Sequence, residues 1–128
     1  MTSQAPSILS AEPQLFIADM EAAISFYVRR LGFELAFSHG DPPFYAQVAR
    51  VGARLNLRLV HGRVLDGGVR ASEPDTLSAT ITTDDAESLF QEFQAADVPF
   101  HQTLRTEPWR ARTFIVQDPD GNLILFAS

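Results

Sequence analysis

The sequence predicts an α+β fold: two βαβββ modules in tandem, whose strands form an open sheet curved around a cleft, with the helices outside. The first observation is that a short strand followed by a capped amphipathic helix occurs twice. The second is that superposing Asp19 on Asp85 aligns the two halves, with a repeat period of about 66 residues. The third is the segment 113–126, in which two strand-like runs flank the turn residues 118–122. Because a single module would leave one sheet face uncovered, we expect the two modules to pair.

The first module is predicted to span residues 11–61. It opens with a strand at 13–18, after which Asp19 is placed to accept a hydrogen bond from the free backbone N–H groups at the start of a helix. Apolar residues recur along that helix at helical spacing, and Gly32 is suited to end it. Runs of alternating residues, rich in β-branched, aromatic and leucine side chains, then predict strands at 33–38, 44–51 and 55–60.

Residues 62–76, which are rich in glycine and in small or charged residues, are predicted to be a linker. The second module is predicted to span residues 77–128. Its elements, in order, are a strand at 77–82, a helix capped by Asp84-Asp85, a strand at 100–104, a loop at 105–112 and the hairpin at 113–126. The chain is therefore predicted to be one domain, residues 1–128, made of two modules.

Composition excludes several classes of protein. With 128 residues, 45% of them hydrophobic, the chain is long enough to bury a core without disulfides or a structural metal. It has no cysteine, so disulfides and thiolate zinc sites are excluded. No apolar run approaches the roughly 20 residues that span a bilayer and no signal peptide is recognisable, so we expect a cytoplasmic protein with no membrane partner. The net charge of −6 argues against nucleic acid as a partner and mildly favours cationic ligands.

Several short motifs lie at defined places along the chain. Asp19 is followed by Phe26-Tyr27 and Leu31-Gly32-Phe33, and the second half carries Ala96-Asp97-Val98, Pro108-Trp109 and the run DPDGN at 118–122. In this combination, over residues 12–126, the sequence resembles the vicinal-oxygen-chelate superfamily, which contains glyoxalases, bleomycin-resistance proteins and extradiol dioxygenases. The resemblance implies the fold and a homodimer with a cleft for a small molecule. It does not imply one function, because this fold hosts many activities.

The resemblance also implies four positions for metal ligands, on the first and last strand of each module: Glu12, Arg58, Ser78 and Leu125. Divalent cations of the kind that enzymes of this superfamily use prefer imidazole or carboxylate donors. Leu125 has no donor atom, Ser78 is a poor neutral ligand, and the guanidinium of Arg58 keeps its positive charge. We therefore expect no bound metal and no cofactor, as in the metal-free, bleomycin-resistance-like branch. The three histidines lie off these positions and are expected to be exposed.

The side chains expected to line the cleft combine apolar and aromatic surface with a few hydrogen-bonding groups, as small-molecule sites do. Arg58 has two open interpretations: it pairs with Glu12 and fills space, or it binds a carboxylate or carbonyl group of the ligand. Trp109, in a polar loop, is suited to stack on a planar ligand, to lie in an interface or to be buried. The predicted ligand-binding residues are Glu12, Gln14, Phe37, Phe44, Tyr45, Arg58, Ser78, Trp109, Arg112, Phe114 and Leu125, and none is predicted to be catalytic.

Two classes of function remain open. The first, which the missing metal ligands favour, is a non-enzymatic protein that sequesters a planar or cationic compound such as an antibiotic. The second is an enzyme of the same superfamily, a lyase, isomerase or dioxygenase acting on a small carbonyl or aromatic substrate, either metal-dependent with unusual ligands or metal-free with Glu12 as a base. The sequence shows no partner acid, nucleophile or phosphate-binding loop that would complete such a mechanism.

Overall fold

Two βαβββ units follow one another in the computed structural model, which describes residues 5–65 and 67–128. The first unit contains β1 (Gln14–Ile17), α1 (Met20–Ser25), β2 (Glu34–Gly40), β3 (Pro43–Arg50) and β4 (Ala53–Leu59). After the short helix α2 (Gly67–Ser72), the second unit contains β5 (Ala79–Thr82), α3 (Ala86–Ala95), β6 (Phe100–Thr106), β7 (Arg112–Gln117) and β8 (Leu123–Ala127). The predicted α+β class with tandem βαβββ units is confirmed. Residues 1–4 of the predicted domain and residue 66 of the predicted linker lie outside the described residues.

Each unit forms its own four-stranded sheet, and the two sheets share one topology. The strand orders are β1-β4-β3-β2 and β5-β8-β7-β6. The first strand of each sheet pairs in parallel with the fourth, and the other neighbours are antiparallel. A parallel pair cannot be joined by a tight hairpin, so each unit needs a long connection between its first and fourth strands, and that connection contains the helix. The repeat in the sequence thus corresponds to a repeat of the sheet topology.

Aspartates cap both α1 and α3, as the sequence indicates. The Asp19 Oδ1 atom accepts a hydrogen bond from Ala22 N at 3.1 Å, and Asp85 Oδ1 accepts one from Ser88 N at 3.0 Å. Each cap satisfies a backbone donor that the first turn of a helix leaves without an intrahelical partner. Beyond its last residue, α1 continues as a π-helical turn over Phe26–Arg30, which the helical spacing did not predict.

Two segments differ from the prediction. The predicted linker 62–76 contains α2, which begins with two glycines in spite of the low helix propensity of that residue. Tertiary contacts offset this propensity, since Arg70 donates a hydrogen bond to the Gly121 carbonyl oxygen at 3.2 Å. The predicted loop 105–112 is shorter than expected, because the β6–β7 ladder extends to its last pair at Thr106.

The core is a single hydrophobic cluster that both units share. Leu15, Tyr27 and Leu57 of the first unit are fully buried in it, as are Phe93 and Phe114 of the second. Burying each such side chain contributes about 1.5–3 kcal/mol to stability. None of the described helices is long and apolar enough to cross a membrane.

The turn between β7 and β8 joins the second unit to the first. The Tyr27 hydroxyl donates a hydrogen bond to Asp118 Oδ2 at 2.8 Å, and Asn122 Nδ2 donates one to the Phe16 carbonyl oxygen at 3.0 Å. Asp118 also accepts hydrogen bonds from the backbone N–H groups of Asp120 and Asn122. Burial, followed by the neighbouring Asp118 charge, raises the pKa of Tyr27 well above its ordinary value, so the phenol remains a donor. The residues predicted to close a hairpin therefore also connect the two units.

Candidate ligand-binding faces

Each sheet packs one face into the core and leaves the other face open. On β1, Leu15 and Ile17 are buried and Phe16 is exposed, and on β4 Leu57 is buried and Arg58 is exposed. This alternation follows from the period of two in strands. The first open face is defined here by Gln14, Phe16, Phe37, Tyr45, Gln47, Arg54, Asn56 and Arg58. The second open face is defined by Thr113 and Ile115, which are only 3% and 5% exposed, and by Leu125 and Ala127, with Trp109 at its edge.

Strand register places four side chains in one row across the first open face. Arg58 lies directly opposite Phe16 on one side and Tyr45 on the other, and Tyr45 lies opposite His39. Side chains opposite each other in neighbouring strands have Cβ atoms about 5 Å apart. The Phe37 ring stacks on Tyr45, with the ring centroids 6.3 Å apart and an interplanar angle of 22°. This aromatic row (Phe16, Arg58, Tyr45 and His39) therefore places a guanidinium between two rings.

A polar network occupies the middle of the first open face. Gln47 Nε2 donates hydrogen bonds to Glu12 Oε1 at 3.2 Å and to Asn56 Oδ1 at 2.9 Å. Gln47 Oε1 accepts one from Arg54 Nη1 at 3.1 Å. Of the two interpretations of Arg58, pairing with Glu12 is the one that the geometry does not support, because Glu12 is bonded to Gln47 and forms no ion pair with Arg58.

The second open face holds a pocket of about 470 Å³ with an apolar floor. Ile115 and Leu125 are cross-strand partners in that floor. Trp109 stands at its edge with 72% of its surface exposed, which is unusual for a large apolar side chain. Of the three environments that the sequence left open for Trp109, burial in the core of the chain is therefore ruled out.

Charged side chains around this pocket are paired. Glu107 accepts hydrogen bonds from Arg105 Nε at 2.7 Å and from Thr113 Oγ1 at 2.9 Å. The hydrogen bond from Arg105, which has the larger effect, and that from Thr113 both lower the pKa of Glu107, which is therefore ionised at neutral pH. His101 Nε2 lies 2.6 Å from Asp75 Oδ1, so the segment before β5 is held against β6. The pocket thus combines an apolar floor and an exposed indole with walls whose charges are already partnered.

Two of the predicted ligand-binding residues, Phe114 and Arg112, lie on the core side of β7. Phe114 was predicted wrongly: it is fully buried, with its ring centroid 5.2 Å from that of Phe126, in the core. Arg112 alternates to the same side of β7 and reaches Glu87 on α3, at 3.6 Å. Phe44 precedes Tyr45 near the hairpin end of β3, where its ring contacts that of His39, at the end of the aromatic row, edge-on.

Ile115, Thr113 and Gln47 were not among the predicted ligand-binding residues. Ile115 and Thr113 were omitted because the prediction assigned the neighbouring residue Phe114 to the cleft side of β7. A shift of one residue exchanges the two faces of a strand. Apolar residues lie on both faces of β7, so the alternation along this strand does not show which face points into the core. The prediction that Leu125 lines the cleft could have identified Ile115, because the two residues are cross-strand partners.

The four positions where the superfamily would place metal ligands are divided between the two sheets and do not suit a divalent cation. Arg58 lies on β4, whereas Glu12 precedes β1 by two residues and is already bonded to Gln47. The Ser78 hydroxyl donates a hydrogen bond to Asn122 Oδ1 at 2.9 Å, and Leu125 offers no donor atom. Within residues 5–65 and 67–128, no three His, Cys, Asp or Glu side chains are grouped so that they could hold a metal ion.

Fold and site define the class of protein. The sequence profile of the Glyoxalase/Bleomycin resistance protein/Dioxygenase superfamily matches residues 9–126, and the chain belongs to this superfamily. It is similar to a bleomycin resistance protein of Geobacillus stearothermophilus, with 27% identity over 93% of this chain and 96% of the relative.

Two solved structures show the same likeness. The bleomycin-binding protein from bleomycin-producing Streptomyces verticillus, solved with copper(II)-bleomycin, has a TM-score of 0.74 and 27% identity, covering 95% of this chain and 97% of that one. The bleomycin resistance determinant encoded on the transposon Tn5 has a TM-score of 0.75 and 19% identity, covering 94% of this chain and 98% of that one. At 19% identity, this second likeness concerns the fold alone. The family resemblance expected from the motifs is confirmed.

Proposed function

We propose that this protein binds and sequesters a planar small molecule, such as an antibiotic of the bleomycin type, without a metal of its own. The observation that carries the proposal is Trp109, an exposed indole at the edge of an apolar-floored pocket. Exposing such a ring to water costs free energy that a stacked ligand would recover. The relatives named as bleomycin resistance and bleomycin-binding proteins support this choice of ligand type.

The test is Trp109→Ala with copper(II)-bleomycin as the probe. Stacking on an indole contributes on the order of 1 kcal/mol beyond area burial, so the variant should bind about tenfold more weakly or worse. Because the indole is exposed, the free energy of unfolding should change by no more than about 0.5 kcal/mol. Isothermal titration calorimetry measures binding, since Trp109 is the sole tryptophan and its fluorescence disappears with the substitution.

Phe44→Ala is the matched control, because Phe44 is an exposed aromatic residue on β3 that does not line the pocket beside Trp109. It should leave binding unchanged. If Trp109→Ala unfolds the chain, or binds the probe as the wild type does, Trp109 is an interface or structural residue. If the wild type binds neither copper(II)-bleomycin nor any member of a panel of planar antibiotics, the proposed function is refuted.

The metal-free state is part of the proposal and is supported by the donor set. A carboxylate, a guanidinium, a neutral hydroxyl and an alkyl side chain cannot together coordinate a divalent cation. The purified protein should therefore contain no stoichiometric zinc, nickel, iron or manganese by elemental analysis, and a chelator should leave its melting temperature unchanged. About one tightly held metal ion per chain would contradict this.

A homodimer is also proposed. Phe16 and Phe37 on the first open face and Trp109 at the edge of the second are exposed, and Ile8 and Leu9, in the arm before β1, are 97% and 90% exposed. A second copy of the chain would cover such surface, and two-fold dimers are the commonest soluble oligomers. Light scattering at micromolar concentration should give the mass of a dimer, and a monomeric mass would overturn this part of the proposal.

The enzyme alternative gains no support from Glu12. Its carboxylate is exposed and accepts a hydrogen bond from Gln47, whereas a catalytic base of this type would need to be buried beside the reacting group. We therefore propose binding alone.

A further inference from the structure

Arg58 lies on the first open face and has no anionic partner among the described residues. It is exposed, and it forms no hydrogen bond or ion pair with another residue within 5–65 and 67–128. Glu12, the carboxylate nearest to it in the sequence-based interpretation, is bonded to Gln47 instead. Arg54, the other arginine of β4, also bonds to Gln47. The charge of Arg58 is therefore available to a ligand.

Aromatic side chains flank that charge on both sides. Phe16, directly opposite Arg58 on β1, is 44% exposed. Tyr45, directly opposite on β3, is backed by the stacked ring of Phe37, which is 47% exposed. Exposed rings offer a flat surface for stacking, and a guanidinium offers a planar fork that holds a carboxylate through two parallel hydrogen bonds. The aromatic row thus matches a flat ring that carries an acid group.

We propose that the first open face binds planar aromatic carboxylates, with Arg58 on the carboxylate and with Phe16 and Tyr45 on the ring. The inference rests on the proposed small-molecule-binding function and assigns a ligand class to the first open face, separately from the Trp109 pocket on the second. For this face it replaces the cationic ligand expected from the net charge of −6. That expectation treated the charge as uniform, whereas acidic residues such as Glu21 and Glu87 lie on α1 and α3. Charges farther than about 8 Å from a site are largely screened at physiological salt, so the local charge decides.

Calorimetric titration of the full chain with 2-naphthoate and with its uncharged analogue 2-naphthamide tests the inference. The wild type should prefer the acid by about tenfold, the size of one charge-assisted bidentate contact. Arg58→Gln should abolish this preference while changing the affinity for the amide by less than about twofold. Arg58→Lys should restore the preference only in part, because an ammonium keeps the charge and loses the fork.

Two further variants separate charge from stacking. Arg29→Gln removes an exposed arginine from the π-helical turn after α1, so it changes the net charge equally and should keep the preference for the acid. Phe16→Ala should weaken both ligands by a similar factor, about fivefold, and leave their ratio unchanged.

The outcomes distinguish this inference from the function on which it rests. If the wild type binds copper(II)-bleomycin or the amide but shows no preference for the acid, the binding function stands and the acid specificity is wrong. The same conclusion follows if Arg58→Gln keeps the preference. If the wild type binds neither naphthyl ligand nor copper(II)-bleomycin, the binding function fails, and the inference fails with it.

Discussion

Tyr27→Phe removes one hydroxyl from the contact between the two units. In the wild type this hydroxyl donates to Asp118 Oδ2 at 2.8 Å, and both side chains are buried. Asp118 accepts three other hydrogen bonds: from Asp120 N, Asn122 N and Asn122 Nδ2. The variant therefore weakens the solvation of a buried carboxylate without leaving it unpartnered. A hydrogen bond to a charged group contributes about 1.5–3 kcal/mol to stability. Because Asp118 keeps its other partners, we expect the free energy of unfolding to fall by about 2 kcal/mol.

Urea denaturation followed by circular dichroism measures this loss. With a denaturant dependence of about 1–3 kcal/mol per molar for a small protein, the midpoint should fall by about 1 M at an unchanged slope. Tyr45→Phe is the matched control, since Tyr45 lies on the first open face and its hydroxyl has no hydrogen-bond partner among the described residues. Its midpoint should stay within experimental error of the wild type.

The pH dependence provides a second readout of Tyr27. Because burial raises the pKa of Tyr27 in the folded state above the unfolded value of about 10, its stabilising effect is complete below pH 10. That effect is lost as the pH rises from 10 towards the folded-state pKa. The wild type should therefore lose stability in this alkaline range more steeply than Tyr27→Phe. Equal midpoints for Tyr27→Phe and the wild type, or parallel alkaline profiles, would refute the reasoning.

Two further substitutions test the packing and the backbone. Phe114→Ala should lower the free energy of unfolding, measured in urea, by about 3–5 kcal/mol, because the ring packs against Phe93 and Phe126. A loss below about 1 kcal/mol would support Phe114 as a ligand-binding residue instead. Gly32→Ala should cost about 1 kcal/mol or more, because φ is +73° and the added Cβ would lie 2.9 Å from Arg50 Nη1. Gly52→Ala, where an added Cβ meets nothing within 4 Å, is its control and should be close to neutral; equal costs at both glycines would contradict this explanation.

The features that could be predicted depend on a few neighbouring residues each. Asp19 and Asp85 cap helices through hydrogen bonds to residues three positions ahead, so their role is visible in any window that contains both. The hairpin turn was equally visible, because Asp118 bonds to N–H groups two and four residues later. Helix α2 was missed for the opposite reason: its support comes from the bond between Arg70 and Gly121, 51 residues apart.

The sequence by itself determined the duplicated order of strands and helices, and with it the superfamily. Only the tertiary structure showed that each module forms its own sheet, which side chains stand on the open face of each sheet, and which of them are already partnered. In β7 both faces are apolar, so only pairing with β8 selected Ile115 over Phe114. Glu12 forms a hydrogen bond with Gln47, whereas the Arg58 guanidinium has no partner among the described residues. The physical reason is that local conformation follows from short-range sterics and hydrogen bonds, whereas the partner of a side chain follows from strand register and from competition among all the groups within its reach.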